Sequence, residues 1–155
     1  MRGFIIRYQW EKEKMGNVQA RKVMLFCPEA EHHTLGLKMC ASTFEEYGWI
    51  TRNLGANLPL EHALYMARKW NPDVIAISFT MSYTIPKLEQ YISTFSDINN
   101  KPDIIIGSRL LNEYSFEMLK DNHIYLLNDQ YSLKNWIIHY AKERALLNMM
   151  HGEQR

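Results

Sequence analysis

Three short clusters of polar or small residues interrupt apolar stretches, and their types are those of ligand chemistry: Glu31-His32-His33-Thr34-Leu35-Gly36, Ser78-Phe79-Thr80 and Gly107-Ser108. An imidazole can offer one nitrogen to a metal. A carboxylate nearby can accept the other ring N–H and so set the tautomer, and glycine lets a ligand come close to the backbone. On this reading His33 is the metal ligand, Glu31 orients it, Gly36 permits close approach, Ser78 and Thr80 line a slot with hydroxyls, and Gly107-Ser108 exposes backbone. His32 adjoins the ligand and should point away from it. His62, His123, His139 and His151 have no partner at ligand spacing and read as solvent-facing.

Each cluster follows a run that needs a strand buried on both faces. Residues 23–27 (Val-Met-Leu-Phe-Cys) are uniformly apolar and are stopped by Pro28; residues 74–78 and 103–106 repeat the pattern. Between them Leu37, Cys40, Ala41 and Phe44 recur at helical spacing, predicting a helix over 34–47 that Gly48 closes in the left-handed conformation. Residues 49–54 read as a less apolar edge strand. Leu60, Ala63, Leu64 and Ala67 mark a second helix that ends at Trp70-Asn71-Pro72. Thr84 is the expected N-cap of a third helix, with Ile85, Leu88, Ile92 and Phe95 inward and Pro86 in the first turn. A short helix at about 112–120, a strand at 124–127 and a long helix at about 132–149 complete the chain. Strands alternating with helices predict an α/β fold, a flavodoxin-like (Rossmann-like) three-layer sandwich on a five-stranded parallel sheet of order 2-1-3-4-5. All three clusters then lie at the carboxyl ends of neighbouring strands, at the switch point where such sheets bind ligands.

The 155 residues, 46% hydrophobic, fit one domain over 21–150 behind an appendage of residues 1–20. Phe4-Ile5-Ile6 could pair as an edge strand there, and Trp10-Glu11-Lys12-Glu13-Lys14 is a charged lead-in. Lys and Arg number 18 against 17 Asp and Glu, scattered, so this chain alone should bind neither nucleic acid nor a membrane surface. Cys27 and Cys40 fall at apolar positions as free thiols, which suits a reducing cytoplasm. The Gly-x-Gly-x-x-Gly fingerprint, the P-loop, an aspartate ending the third strand and the Gly-x-Ser-x-Gly elbow are all absent, which counts against dinucleotide, nucleotide, phosphoacceptor and acyl-transfer chemistry.

The three clusters together resemble the cobalamin-binding domains of corrinoid proteins, mutases, methionine synthases and light-responsive regulators. That family's pattern is Asp-x-His-x-x-Gly, then Ser-x-Leu or Ser-x-Thr, then Gly-Gly, and the intervening stretches 37–77 and 81–106 match its spacing. The resemblance spans roughly residues 20–128. It implies that His33 replaces the cofactor's benzimidazole below cobalt, with the displaced nucleotide tail in a slot lined by Ser78 and Thr80 and passed closely by Gly107. Two departures carry expectations. Glu31 stands where aspartate is usual and is one methylene longer, predicting a looser hold on His33. Ser108 stands for the second glycine and adds a Cβ where the tail approaches.

Leu37 follows Gly36 where methyl-carrying corrinoid proteins often have lysine, so the resemblance favours the regulator type: a sensor or photoreceptor domain without catalysis of its own, binding adenosyl-, methyl- or hydroxocobalamin. A corrinoid methyl carrier for a methyltransferase, and a haem or other tetrapyrrole sensor on the same fold, are the alternatives. The regulators cover the cofactor's upper face with a helical bundle that has no counterpart in this chain. The last helix is apolar around more than one face, at Leu133, Trp136, Ile137, Ile138, Tyr140 and Leu147. A homo-oligomer or a partner protein covering the upper face is therefore expected.

Overall fold

The computed structural model describes residues 20–112 and 123–152. The appendage and most of the expected short helix after residue 112 lie outside the described residues. Five parallel strands, β1 (Lys22–Phe26), β2 (Ile50–Asn53), β3 (Val74–Ser78), β4 (Asp103–Gly107) and β5 (Ile124–Leu127), form one sheet in the order β2-β1-β3-β4-β5. This is the flavodoxin-like arrangement expected from the pattern. Among the described residues four α-helices accompany them: α1 (Leu35–Glu46), α2 (Leu60–Trp70), α3 (Ile85–Ser96) and α4 (Gln130–Gly152).

The apolar runs do what their composition requires. Met24, Phe26, Ile75, Ile77, Ile104 and Ile106 face one layer, under Ala63 and Ala67 of α2 and Leu88, Tyr91, Ile92 and Phe95 of α3. Val23, Leu25, Val74, Ala76 and Ile105 face the other, under Leu37, Ala41 and Phe44 of α1 and Leu133, Ile137 and Tyr140 of α4. Strand β2 is the exposed edge, as its mixed composition predicts. Gly48 (φ 83°) and Asn71 (φ 52°) take the left-handed conformations that follow α1 and α2.

Three expectations change. Thr84 occupies the N-cap position of α3 but makes no capping bond with its side chain, which turns toward Glu31 instead. His123 is half-buried, with Nε2 3.1 Å from Ser96 Oγ, because it enters β5 beside the end of α3. Helix α4 begins two residues earlier than expected and continues to Gly152; it buries Leu133, Ile137 and Tyr140, while 141–152 are exposed throughout, Leu146, Leu147, Met149 and Met150 among them.

Candidate functional site

The carboxyl ends of β1 and β3 bring the first two clusters together around a single buried carboxylate. Glu31 is fully buried. Its Oε1 accepts hydrogen bonds from the His33 ring at Nδ1 (2.9 Å), the His33 N–H (3.3 Å) and the Thr80 hydroxyl (2.9 Å). Its Oε2 accepts from the N–H groups of Thr80 (2.9 Å) and Met81 (3.2 Å) and from the Thr84 hydroxyl (3.5 Å). The extra methylene of glutamate is therefore taken up by burial: the carboxylate reaches under the loop after β3 and still meets His33 at full hydrogen-bond contact. The looser hold expected from the substitution is not what the geometry shows.

This network sets the chemistry of His33. Nδ1 lies 2.9 Å from both Glu31 Oε1 and Thr80 Oγ1. The carboxylate can only accept, and the Thr80 hydroxyl gives its proton to that carboxylate, so the imidazole proton belongs on Nδ1. Nε2 then keeps its lone pair on a side chain that is 64% exposed. Burial pushes the Glu31 carboxyl up, but hydrogen bonds from Thr80 and His33 outweigh it and hold the group below its ordinary value. The result is an anion that orients the ring and a free nitrogen that faces outward.

The loop carrying both residues is pinned from three sides. Asn57 Oδ1 accepts the Ala30 N–H (2.8 Å), and the Asn57 N–H donates to the Glu31 carbonyl (2.9 Å). Tyr91 on α3 accepts the Glu29 N–H (3.1 Å) and donates to the Leu58 carbonyl (2.6 Å). Tyr83 donates to the Ala30 carbonyl (3.2 Å). Ala30 sits at φ 72°, a conformation that costs an L-residue about 1–2 kcal/mol and that these bonds maintain. Sequence reasoning missed Asn57, Tyr83 and Tyr91. Tyr91 was legible in principle, since it lies three residues after Leu88 on the inner stripe of α3 and carries a hydroxyl that a buried position must satisfy.

Ser78 and Gly107 meet as register partners across β3 and β4. With Ala76 they form a run of small side chains on the α1/α4 face, next to larger Leu25 and Ile105, and the shortfall in volume leaves a narrow slot. Leu25, Leu37, Cys40, Phe44, Ala76, Ile77, Ser78, Ile105, Gly107 and Leu133 line it, enclosing about 260 Å³ including the open mouth. A Cβ on Gly36 would stand 3.7 Å from Ser78 Oγ, an ordinary van der Waals contact, which places Gly36 next to Ser78.

The remaining expected residues separate. Thr80 joins the Glu31–His33 network and is not part of the slot lining. Ser108 is buried, but its Oγ accepts the Leu110 N–H (3.1 Å) and so caps the 3-10 turn Arg109–Asn112. The added Cβ of Ser108 is thus used in the turn and does not line the slot. His32 is exposed. Burial, with Glu31 and Cys40 nearby, pushes the Cys27 thiol up to about 12, so it stays neutral beside the His33 carbonyl and offers no thiolate.

A doubly wound domain with one oriented imidazole at the switch point and a narrow apolar slot at the same sheet edge has the anatomy of a binding domain. The sequence profile of the B12 binding domain matches residues 21–126, and the chain belongs to that family. Cobalamin or a related corrinoid is the cofactor that the family implies. Among solved structures the fold is similar to a cobalamin-binding protein from Desulfitobacterium hafniense (TM-score 0.57, 20% identity, 61% of this chain and 47% of that one). It is also similar to the monomethylamine corrinoid protein of Methanosarcina barkeri (TM-score 0.63, 12% identity, 85% and 62%). A third is the methanol:cobalamin methyltransferase complex MtaBC of the same organism (TM-score 0.64, 15% identity, 82% and 49%). The chain spans between about half and three-fifths of the length of these chains. No curated protein sequence matches it.

Proposed function

We propose that this chain binds a corrinoid through His33, with Nε2 as the lower axial ligand to cobalt and the nucleotide tail in the slot beneath α1 and α4, and that it serves as a sensor domain without catalytic residues of its own. The observation that carries the reading is the pairing of His33, its Nδ1 held 2.9 Å from Glu31, with an apolar slot at the same edge of the sheet. The donor set agrees. Among the described residues no group of three or more His, Cys, Asp or Glu side chains is placed to hold a metal ion. A lone imidazole suits a metal whose other ligands come from a macrocycle.

Bound there, the corrin supplies a cobalt centre whose upper position carries the ligand-exchange or organometallic chemistry. The chain's residues have simpler tasks. Glu31 and Thr80 keep the His33 proton on Nδ1, Gly36 and Gly107 leave backbone room, and Ser78 offers the one side-chain hydroxyl of an otherwise apolar slot. The slot also favours a tailed corrinoid over haem, which has nothing to place in it.

Titrating the protein with hydroxo-, methyl- and adenosylcobalamin and recording absorption spectra tests the proposal. A His-on shift with at least one form, lost in His33→Ala, is the expected outcome; no change with any form overturns it. A Soret band in protein made without cobalamin would favour the haem reading. The methyl-carrier reading draws support from the fold likeness to the two Methanosarcina structures. Co-purification with a methyltransferase, and methyl transfer to its acceptor, would replace the sensor role with that one.

A further inference from the structure

The slot has a fastening at its helical side. Its walls are α1 and α4, and the first residue of α4 reaches across the gap. Gln130 Nε2 donates to Cys40 Sγ (3.5 Å), and its Oε1 lies 3.1 Å from Thr43 Oγ1, which shares its single proton with the Met39 carbonyl at 2.9 Å. Cys40 itself lines the slot. Both amide atoms of Gln130 are thus used to hold one helix against the other directly over the space where a tail would go. The roughly 260 Å³ includes open solvent at the mouth, and the part that the walls enclose is far too small for a nucleotide unless a wall moves. The sheet side cannot give, since β1, β3 and β4 are hydrogen-bonded to one another. The helical seam can at its carboxyl end, where the packing thins to Leu37, Cys40, Phe44 and Leu133 and side-chain hydrogen bonds help to close it.

From this geometry we infer that Gln130 is a latch: it keeps the slot shut by tying α1 to α4, and the slot opens when its bonds to Cys40 and Thr43 break. The latch is a positioning element of the corrinoid site and rests on that reading for its purpose, although not for its existence. It makes tail entry a gated step. A corrinoid that lacks the nucleotide tail, such as cobinamide, does not need the gate.

Cys40 reports on the latch without any cofactor. Its thiol is only partly buried and is held by Gln130, so its alkylation by N-ethylmaleimide quickens as the seam opens and uncovers it further. With the modified site identified by peptide mapping, Gln130→Ala should alkylate at Cys40 about fivefold or more faster than wild type, the factor that loss of an ordinary hydrogen bond gives. Thr43→Val, which removes one bond and keeps the packing volume, should move the rate the same way by less. Equal rates in wild type and Gln130→Ala overturn the latch. In the same assay hydroxocobalamin should protect Cys40 and cobinamide should not. Association of hydroxocobalamin, followed by stopped flow, should be faster in Gln130→Ala, with cobinamide association unchanged; acceleration of both equally also overturns the latch. If Gln130→Ala speeds alkylation but hydroxocobalamin protects neither protein, the corrinoid reading falls while the latch stands as a clamp between the helices.

Discussion

The two faces of the sheet are built from the same three apolar strands and end up with opposite properties. Under α2 and α3, Phe26, Tyr91 and Phe95 pack tilted or edge-on with ring centroids 5.7–6.4 Å apart, and Phe79 fills the carboxyl end of the layer. Under α1 and α4 the amino-terminal half is equally full, with Phe44, Trp49, Trp136 and Tyr140 in ring contact. Toward the carboxyl ends that face runs out of volume, through Ala76, Ser78 and Gly107. Interiors are normally packed to crystal density, and a layer left short of volume at one end sacrifices contacts there. The difference teaches that stability is concentrated in the α2/α3 layer and binding capacity in one end of the other.

Substitutions can break this contrast in order of effect. Phe95→Ala, in the filled layer, should cost about 3–5 kcal/mol in a denaturant melt. A cost below 1 kcal/mol would mean that this layer is not the stabilising one. Glu31→Gln puts an amide among donors that now meet a carboxylate, and should cost about 1–3 kcal/mol at neutral pH. It should also remove a pH dependence. The Glu31 carboxyl is held below its ordinary 4.5, so its contribution is fully present above that pH and lost as pH falls through the lower folded value. Melts of wild type and Glu31→Gln from pH 7 downward should converge there, and parallel curves would show that Glu31 does not titrate in the folded state as described.

Smaller effects sharpen the other half of the contrast. Ala76→Leu overfills the slot and should cost about 1–3 kcal/mol while abolishing hydroxocobalamin binding and sparing cobinamide; equal loss of both would place the tail elsewhere. His33→Ala removes a mostly exposed ring together with its hydrogen bond to the Glu31 carboxylate, so its melt should fall by about 0.5–1.5 kcal/mol. Its spectral titration should nonetheless lose the axial shift. A large destabilisation would mean that the ring holds the loop as well as a ligand.

Much of the fold was legible because it rests on local composition. Uniform apolar runs at 23–27, 74–78 and 103–106 can satisfy only strands covered on both faces, and the weaker second strand is indeed the edge. Gly48 and Asn71 end their helices where expected. What escaped were side chains with two plausible uses. Thr84 has a hydroxyl suited to capping α3, and only the buried carboxylate arriving from residue 31 draws it away. Ser108 was expected at the slot and caps a turn. His123 was assigned to solvent and pairs with Ser96. For Thr84 and His123 the competing partner is remote in sequence, so no local pattern reveals it; Ser108 instead turns to the N–H of Leu110, two residues on.

The amino-acid sequence by itself determined the parallel sheet, its order and the gathering of Glu31, His33, Ser78, Thr80 and Gly107 at one edge, because apolar periodicity and strand-end positions are local properties that the right-handed crossover rule carries into space. Tertiary structure alone decided which nitrogen of His33 is free, that Glu31 is a buried anion tying two loops, and that Gln130 closes a slot between α1 and α4. Those features depend on distances of 2.9–3.5 Å between residues as far as 90 positions apart, and such distances exist only once the layers have packed.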